Sequence, residues 1–169
     1  RSFIAWSIWL DWRSFVGYEL RDHPEMSDAE LIEAETKRSG RVTQAEALLN
    51  HLKKEGHFNE SVPVLLGGDF NCPSHLDWTK DTQRVFERRR ALDLPVSQLV
   101  LEAGFEDSFR KIHPNPVQHP GITWSPMYRG SLSQEEGTPQ SFERIDRLYV
   151  HEQNEKLTSK LVPVAAHVL

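Results

Sequence analysis

From Phe3 to Leu10 the chain is aromatic and aliphatic, which predicts a strand. Residues 11–26 carry Gly17, Pro24 and many charges and read as a loop. Ser27 followed by Glu30 forms a capping box, so a short, acidic, exposed helix is predicted to about Arg38, interrupted by Ser39-Gly40. From Arg41 to Glu55, Val42, Ala45, Leu48, Leu49 and Leu52 fall on one helical face, with Gly56 as the stop. Val62 to Leu66 is a continuous apolar run ended by Gly67-Gly68, the pattern of a strand buried on both faces. Residues 72–80 read as a loop, and Lys80 to Arg90 as partly helical. Pro95 to Ala103 reads as a short helix stopped by Gly104. Residues 113–121 are proline-rich loop; Ile122-Thr123-Trp124 is a brief predicted strand, and 130–140 is a polar loop. Two further strands are predicted, at Glu143 to Val150 and Lys160 to Val168. This mixture predicts an α/β or α+β sandwich.

Length and composition narrow the class. With 169 residues, 38% hydrophobic and 27% charged, the chain fits one globular domain and excludes collagen, coiled coil and wholesale disorder. No apolar run is long enough to span a membrane as a helix. The single cysteine, Cys72, excludes an internal disulfide. A formal net charge of -5 disfavours nucleic acid as a partner bound by bulk charge. The chain enters an apolar run directly after Arg1-Ser2 and closes on Val162 to Leu169. Both ends therefore read as strands cut open, and an excised piece of a longer protein is expected. Localisation is left open.

The chemistry concentrates at Val64-Leu65-Leu66-Gly67-Gly68-Asp69-Phe70-Asn71. Alternation places Asp69 and Asn71 on one side, with Phe70 turned into the core. A carboxylate can hold or deprotonate a water or ligate a hard cation. An adjacent amide can donate to a phosphoryl oxygen without adding repulsive charge. A strand-ending turn is the bland alternative. The cyclic-dinucleotide synthase signature is rejected for want of its Glu. A second constellation is Arg144-Ile145-Asp146-Arg147, where Arg144 and Asp146 are expected on one strand face. There the Asp can orient a histidine and the Arg bind phosphate, against a plain cross-strand ion pair. A third is Gly121-Ile122-Thr123-Trp124, whose Trp124 lines a cleft or fills a core edge.

In this order the three pieces resemble the endonuclease/exonuclease/phosphatase superfamily, of which DNase I is one member: Gly68-Asp69-Phe70-Asn71, Thr123-Trp124 and Arg144-Ile145-Asp146-Arg147. Arg41-Val42-Thr43-Gln44-Ala45 and Ala103 to Ser108 are similar to connecting pieces of the family. Asn71 to Thr79 looks like an uncharacterised bacterial branch. The resemblance implies a DNase I-like two-sheet α/β sandwich, incomplete at both ends, filling residues 1–169 as a single partial domain. It implies hydrolysis of a phosphoester substrate by in-line attack of water, with Mg²⁺ or Mn²⁺ as cofactor. Asp69, Asn71 and Asp146 match catalytic positions, with Asp69 and Asn71 as second-metal ligands. Arg144, Trp124, His75 and Tyr18 are the expected substrate contacts.

Departures from the family pattern are equally legible. The main metal-binding Glu falls before residue 1 and the Ser-Asp-His motif after residue 169, so Asp146 lacks its histidine; His167 is not that residue. Where many members carry Thr-His-Leu, this chain has Ile8-Trp9-Leu10. Trp9 can neither carry a proton nor replace that contact. The alternative function is therefore a catalytically impaired member acting as scaffold or binding module. His113 and His119 lack a third ligand. The cluster Arg84, Arg88, Arg89 and Arg90 reads as a solvated face, and Cys72 as a packing residue.

Overall fold

Four strands form one mixed sheet in the order β1-β2-β4-β3. They are β1 (Ile4–Trp9), β2 (Val64–Asp69), β3 (Phe105–Asp107) and β4 (Asp146–His151). This is a computed structural model, and it describes residues 2–59, 62–86, 90–124, 141–151 and 161–168. Among the described residues six α-helices accompany the sheet: α1 (Val16–Asp22), α2 (Asp28–Glu33), α3 (Arg41–Lys54), α4 (Lys80–Val85), α5 (Pro95–Glu102) and α6 (Ser108–Ile112). The architecture is mixed α/β. No helix among the described residues is long and apolar enough to cross a membrane.

β1 and β2 run parallel, which demands a crossover; α1 to α3 supply it. β4 returns antiparallel to β2 and β3. Alternation sorts the sheet's two faces. Val64, Leu66, Tyr149 and Phe105 pack with Ala45 and Leu52 of α3 and Val96 and Val100 of α5. The opposite face carries Ala5, Ser7, Trp9, Asp146 and Leu148, all exposed. A smaller core of Val16, Leu20, Leu31, Trp78, Leu92 and Leu94 lies under α1 and α2.

Several expectations hold. The Ser27–Glu30 capping box forms, and α2 continues as a π-helical turn to Arg38. α3 and α5 occupy the predicted stretches. Others need correction. Residues 11–26 contain α1, because Val16 and Leu20 bury there. Gly17 marks a close approach: a Cβ on it would sit 2.2 Å from Ser141 Oγ. α2 itself is acidic and mostly exposed as predicted, with Leu31 its buried residue. β2 runs through both glycines to Asp69, and it buries one face only. Ile122-Thr123-Trp124 forms no strand, nor do residues 161–168. β4 begins at Asp146. β3 and α6 arise where no element is predicted. The polar loop at 130–140 lies outside the described residues.

The exit of β1 is clamped to the start of α3 by charge. Asp11 accepts from the Gly40 amide at 2.7 Å and from the Arg13 amide and guanidinium. Arg41, fully buried, pairs with Glu35 at 2.8 Å and donates to the carbonyls of Asp11, Arg13 and Ser14. The Arg13 guanidinium, helped by the two amides, holds the Asp11 carboxyl well below its usual range. A depressed carboxyl stabilises the fold above its unfolded pKa, about 3.9, and loses that contribution as pH falls toward its folded value. Asp11→Asn should therefore flatten the acid limb of a stability-versus-pH curve from urea unfolding; an unchanged limb would contradict this.

Candidate active site at the end of the sheet

The C-terminal end of β2 lies directly beside the start of β4. Asp69 is the register partner of Asp146. The next residue, Phe70, donates its amide to Ile145 O at 3.0 Å. The Asp146 amide turns away from β2 and donates to Thr123 Oγ1 at 3.0 Å. Asp69 and Asp146 thus form a non-hydrogen-bonded cross-strand pair, the arrangement that brings side chains closest, with Cβ atoms about 4.5–5.5 Å apart. Thr123 Oγ1 also accepts from the Ile145 amide, so one hydroxyl fixes the backbone entering β4.

Asn71 completes the group. It adopts a left-handed backbone, φ 50°, which asparagine tolerates. Its amide N–H donates to Asp69 Oδ1 at 2.8 Å, and its Nδ2 donates to Leu10 O at 2.7 Å. Phe70 is buried between them, as alternation predicted. Asp69 is half-buried, and burial raises its carboxyl above the usual range. The Asn71 amide opposes that shift, Asp146 adds to it, and Arg147 on the core face opposes it.

Trp9 stands in register with Asp69 on the other flank and is 76% exposed. Tyr18 and Trp124 come together beside Asn71: Trp124 Nε1 donates to Tyr18 Oη at 3.0 Å. All three line a cleft of 480 Å³.

Two expected substrate contacts lie elsewhere. Arg144 precedes β4, is 2% exposed, and does not share the open face with Asp146. Its guanidinium donates to Asp77 and Asp107, so it is occupied internally. His75 approaches Ser97 Oγ at 2.7 Å through Nδ1. It lines a separate hollow with Phe105 and Arg110, and burial lowers its pKa. The set-aside residues behave plainly. Arg84 pairs with Asp81; Arg90 binds the carbonyls of Met26 and Pro24; Arg88 and Arg89 lie outside the described residues. Cys72 is buried, and burial pushes its thiol up. The His113 and His119 rings meet at a tilt of 34°, their centres 4.4 Å apart. His167 lines a 570 Å³ hollow that Asp146 also borders.

Thr123 and the carboxylates Asp77 and Asp107 escaped sequence reasoning as parts of one framework. Asp77 meets its arginines 33 and 67 residues away, and no local pattern announces such pairs. For a metal, Asp69, Asp146 and Asn71 Oδ1 offer hard oxygen donors, the chemistry suited to Mg²⁺ or Mn²⁺. Among the described residues, no group of three His, Cys, Asp or Glu converges.

No family model matches the chain. It is 34% identical over 146 residues to an uncharacterized protein of Caenorhabditis elegans, a match covering 85% of this chain and 46% of that protein. The chain therefore spans about half the length of the curated relative it matches.

Proposed function

We propose that residues 1–169 form part of a divalent-metal-dependent phosphoester hydrolase of the endonuclease/exonuclease/phosphatase type. The observation that carries this reading is the cross-strand meeting of Asp69 with Asp146, with Asn71 tied to Asp69. In this reading the open face of the sheet, bearing Ala5, Ser7 and Leu148, packs against the second sheet of a DNase I-like sandwich.

The geometry supports the following roles. Asp69, with its raised proton affinity, accepts a proton from the attacking water. The second hydrogen of Asn71 Nδ2, the first being given to Leu10 O, donates to a phosphoryl oxygen. Asp146, held by Thr123, orients the general acid–base partner supplied by the rest of the protein. Asp69 and Asn71 Oδ1 would hold a divalent metal, which would stabilise charge on the phosphoryl group.

The purified 169-residue chain should not turn over bis-p-nitrophenyl phosphate above a buffer-plus-Mg²⁺ control. A longer protein containing this segment should, and EDTA should abolish that turnover. Asp69→Asn in the longer protein should lower kcat about 10²- to 10⁴-fold. Metal-independent turnover, or an Asp69→Asn variant at full rate, would overturn the reading.

Trp9 favours a second reading, a catalytically impaired scaffold, because it occupies the position flanking Asp69. An inactive longer protein that gains activity on Trp9→His would support it.

A further inference from the structure

Beneath the candidate site lies a buried cation that the hydrolytic step does not use. Arg147 follows Asp146 on β4, and alternation turns its side chain to the core face of the sheet, where it is 4% exposed. Its guanidinium carbon lies 4.4 Å over the Phe70 ring and 5.9 Å from the centre of the Tyr149 ring, and those two rings meet edge-on. Nη2 donates to Cys72 Sγ at 3.5 Å. Nε and Nη1, both buried, meet no acceptor among the described residues, and the buried Tyr149 hydroxyl has no hydrogen-bond partner there.

The surroundings do not answer the charge. A ring face attracts a cation but offers no lone pair to an N–H. The buried carboxylates are engaged elsewhere: Glu35 pairs with Arg41, Asp77 with Arg110 and Arg144, and Asp107 with Arg144. Glu143 accepts from Trp78 Nε1. So little of Arg147 is exposed that a segment outside residues 1–169 cannot reach it.

Proton loss offers no escape either. A guanidinium stays charged. Burial pushes the Tyr149 phenol and the Cys72 thiol up, so both keep their protons. The cluster is therefore rich in donors, short of acceptors, and carries one positive charge. An unpaired charge in the interior is costly, and a water would leave it unanswered. A dianion would reverse the imbalance, and a bulky anion would displace the packed rings of Phe70 and Tyr149. A small monovalent anion accepts from these donors and leaves the cluster neutral.

We propose that the core face of the sheet binds one halide-sized monovalent anion, chloride, between Arg147 and Tyr149 with Cys72 beside them. The site is independent of the hydrolase reading, because it uses the face of β4 opposite to Asp146.

Thermal unfolding of the 169-residue chain tests it. Sodium gluconate is replaced stepwise by sodium chloride at constant ionic strength. A ligand that binds the folded state alone raises the midpoint in a saturable way, and here chloride should raise it by about 3 °C or more. Arg147→Met keeps the apolar stem, removes the cation and should abolish the effect. Tyr149→Phe removes one donor and should raise the half-saturating chloride concentration about tenfold. Equal midpoints in the two salts, a change that does not saturate, or a chloride effect that survives Arg147→Met or is unmoved by Tyr149→Phe would each overturn the proposal. Should Arg147→Met not fold, Tyr149→Phe decides. Crystals of the chain grown in sodium bromide give a readout that needs no variant. Anomalous diffraction at the bromine edge should place a bromide within hydrogen-bond distance of Arg147 Nε or Nη1; a water there, or bromide at the surface alone, would overturn the proposal.

Discussion

Replacing Asp77 with alanine should lower the free energy of unfolding by about 3–5 kcal/mol, the cost of breaking a buried pair by removing one partner. Asp77 is 1% exposed. Its carboxylate accepts from Arg110 Nε at 2.6 Å and from Arg144 Nε at 3.0 Å. Arg144 keeps Asp107, but Arg110 would retain only the carbonyls of His113, His119 and Pro120. The alanine therefore leaves the largely buried Arg110 guanidinium without its carboxylate. The contrasting control is Asp81→Ala. That carboxylate pairs with Arg84 at 3.3 Å where both side chains are mostly exposed, and its loss should cost less than about 1 kcal/mol. Urea unfolding of both variants checks the contrast. Equal effects would mean that Asp77 is not the keystone its contacts imply.

Gly68→Ala should be more damaging still, at about 4 kcal/mol or above, or should abolish folding. Gly68 has φ +139°, and an added Cβ would fall 2.0 Å from Ile8 O and 2.8 Å from Ile8 N. Those atoms belong to the backbone of β1, so relief requires the parallel strand itself to move, losing the ladder from Ile4 to Trp9. Gly67→Ala is the matched comparison. Its Cβ would lie 3.1 Å from Leu148 Cδ1, the end of a rotatable side chain, and the cost should stay near 1 kcal/mol. Soluble yield and thermal melts of the two variants would settle it; similar behaviour would contradict the clash.

Position 68 also illustrates what the sequence discloses. The apolar run, the two glycines and the acid–amide pair were legible as a strand end, and Phe70 is buried as alternation requires, whereas Asn71 adopts a left-handed backbone and reaches Asp69 through its own amide. Gly67 and Gly68 were nonetheless read as the strand's end. Glycine in a strand signals close approach as readily as termination, and only the neighbouring backbone of Ile8 distinguishes the two. α1 was hidden for a similar reason: Gly17 read as a breaker, whereas it makes room for Ser141. The capping box at Ser27 and the apolar stripe of α3 were legible because their causes lie within a few residues. The placement of Arg144 was not. Its pattern on β4 suggested an outward charge, but Asp77 and Asp107, 67 and 37 residues away, draw it inward. Tyr18 and Trp124 were each singled out separately, and their shared hydrogen bond needed the fold.

Asp107 serves two structures at once. Its Oδ1 accepts the amides of Phe109 and Arg110 that open α6, and its carboxylate also receives Arg144, two residues before Asp146. Arg110, anchored there, reaches three carbonyls of the loop from His113 to Pro120. These segments should consequently open as one cooperative unit: amide hydrogens at the start of α6 and at the threshold of β4 should exchange with solvent together, so that loosening of that loop reaches the acid.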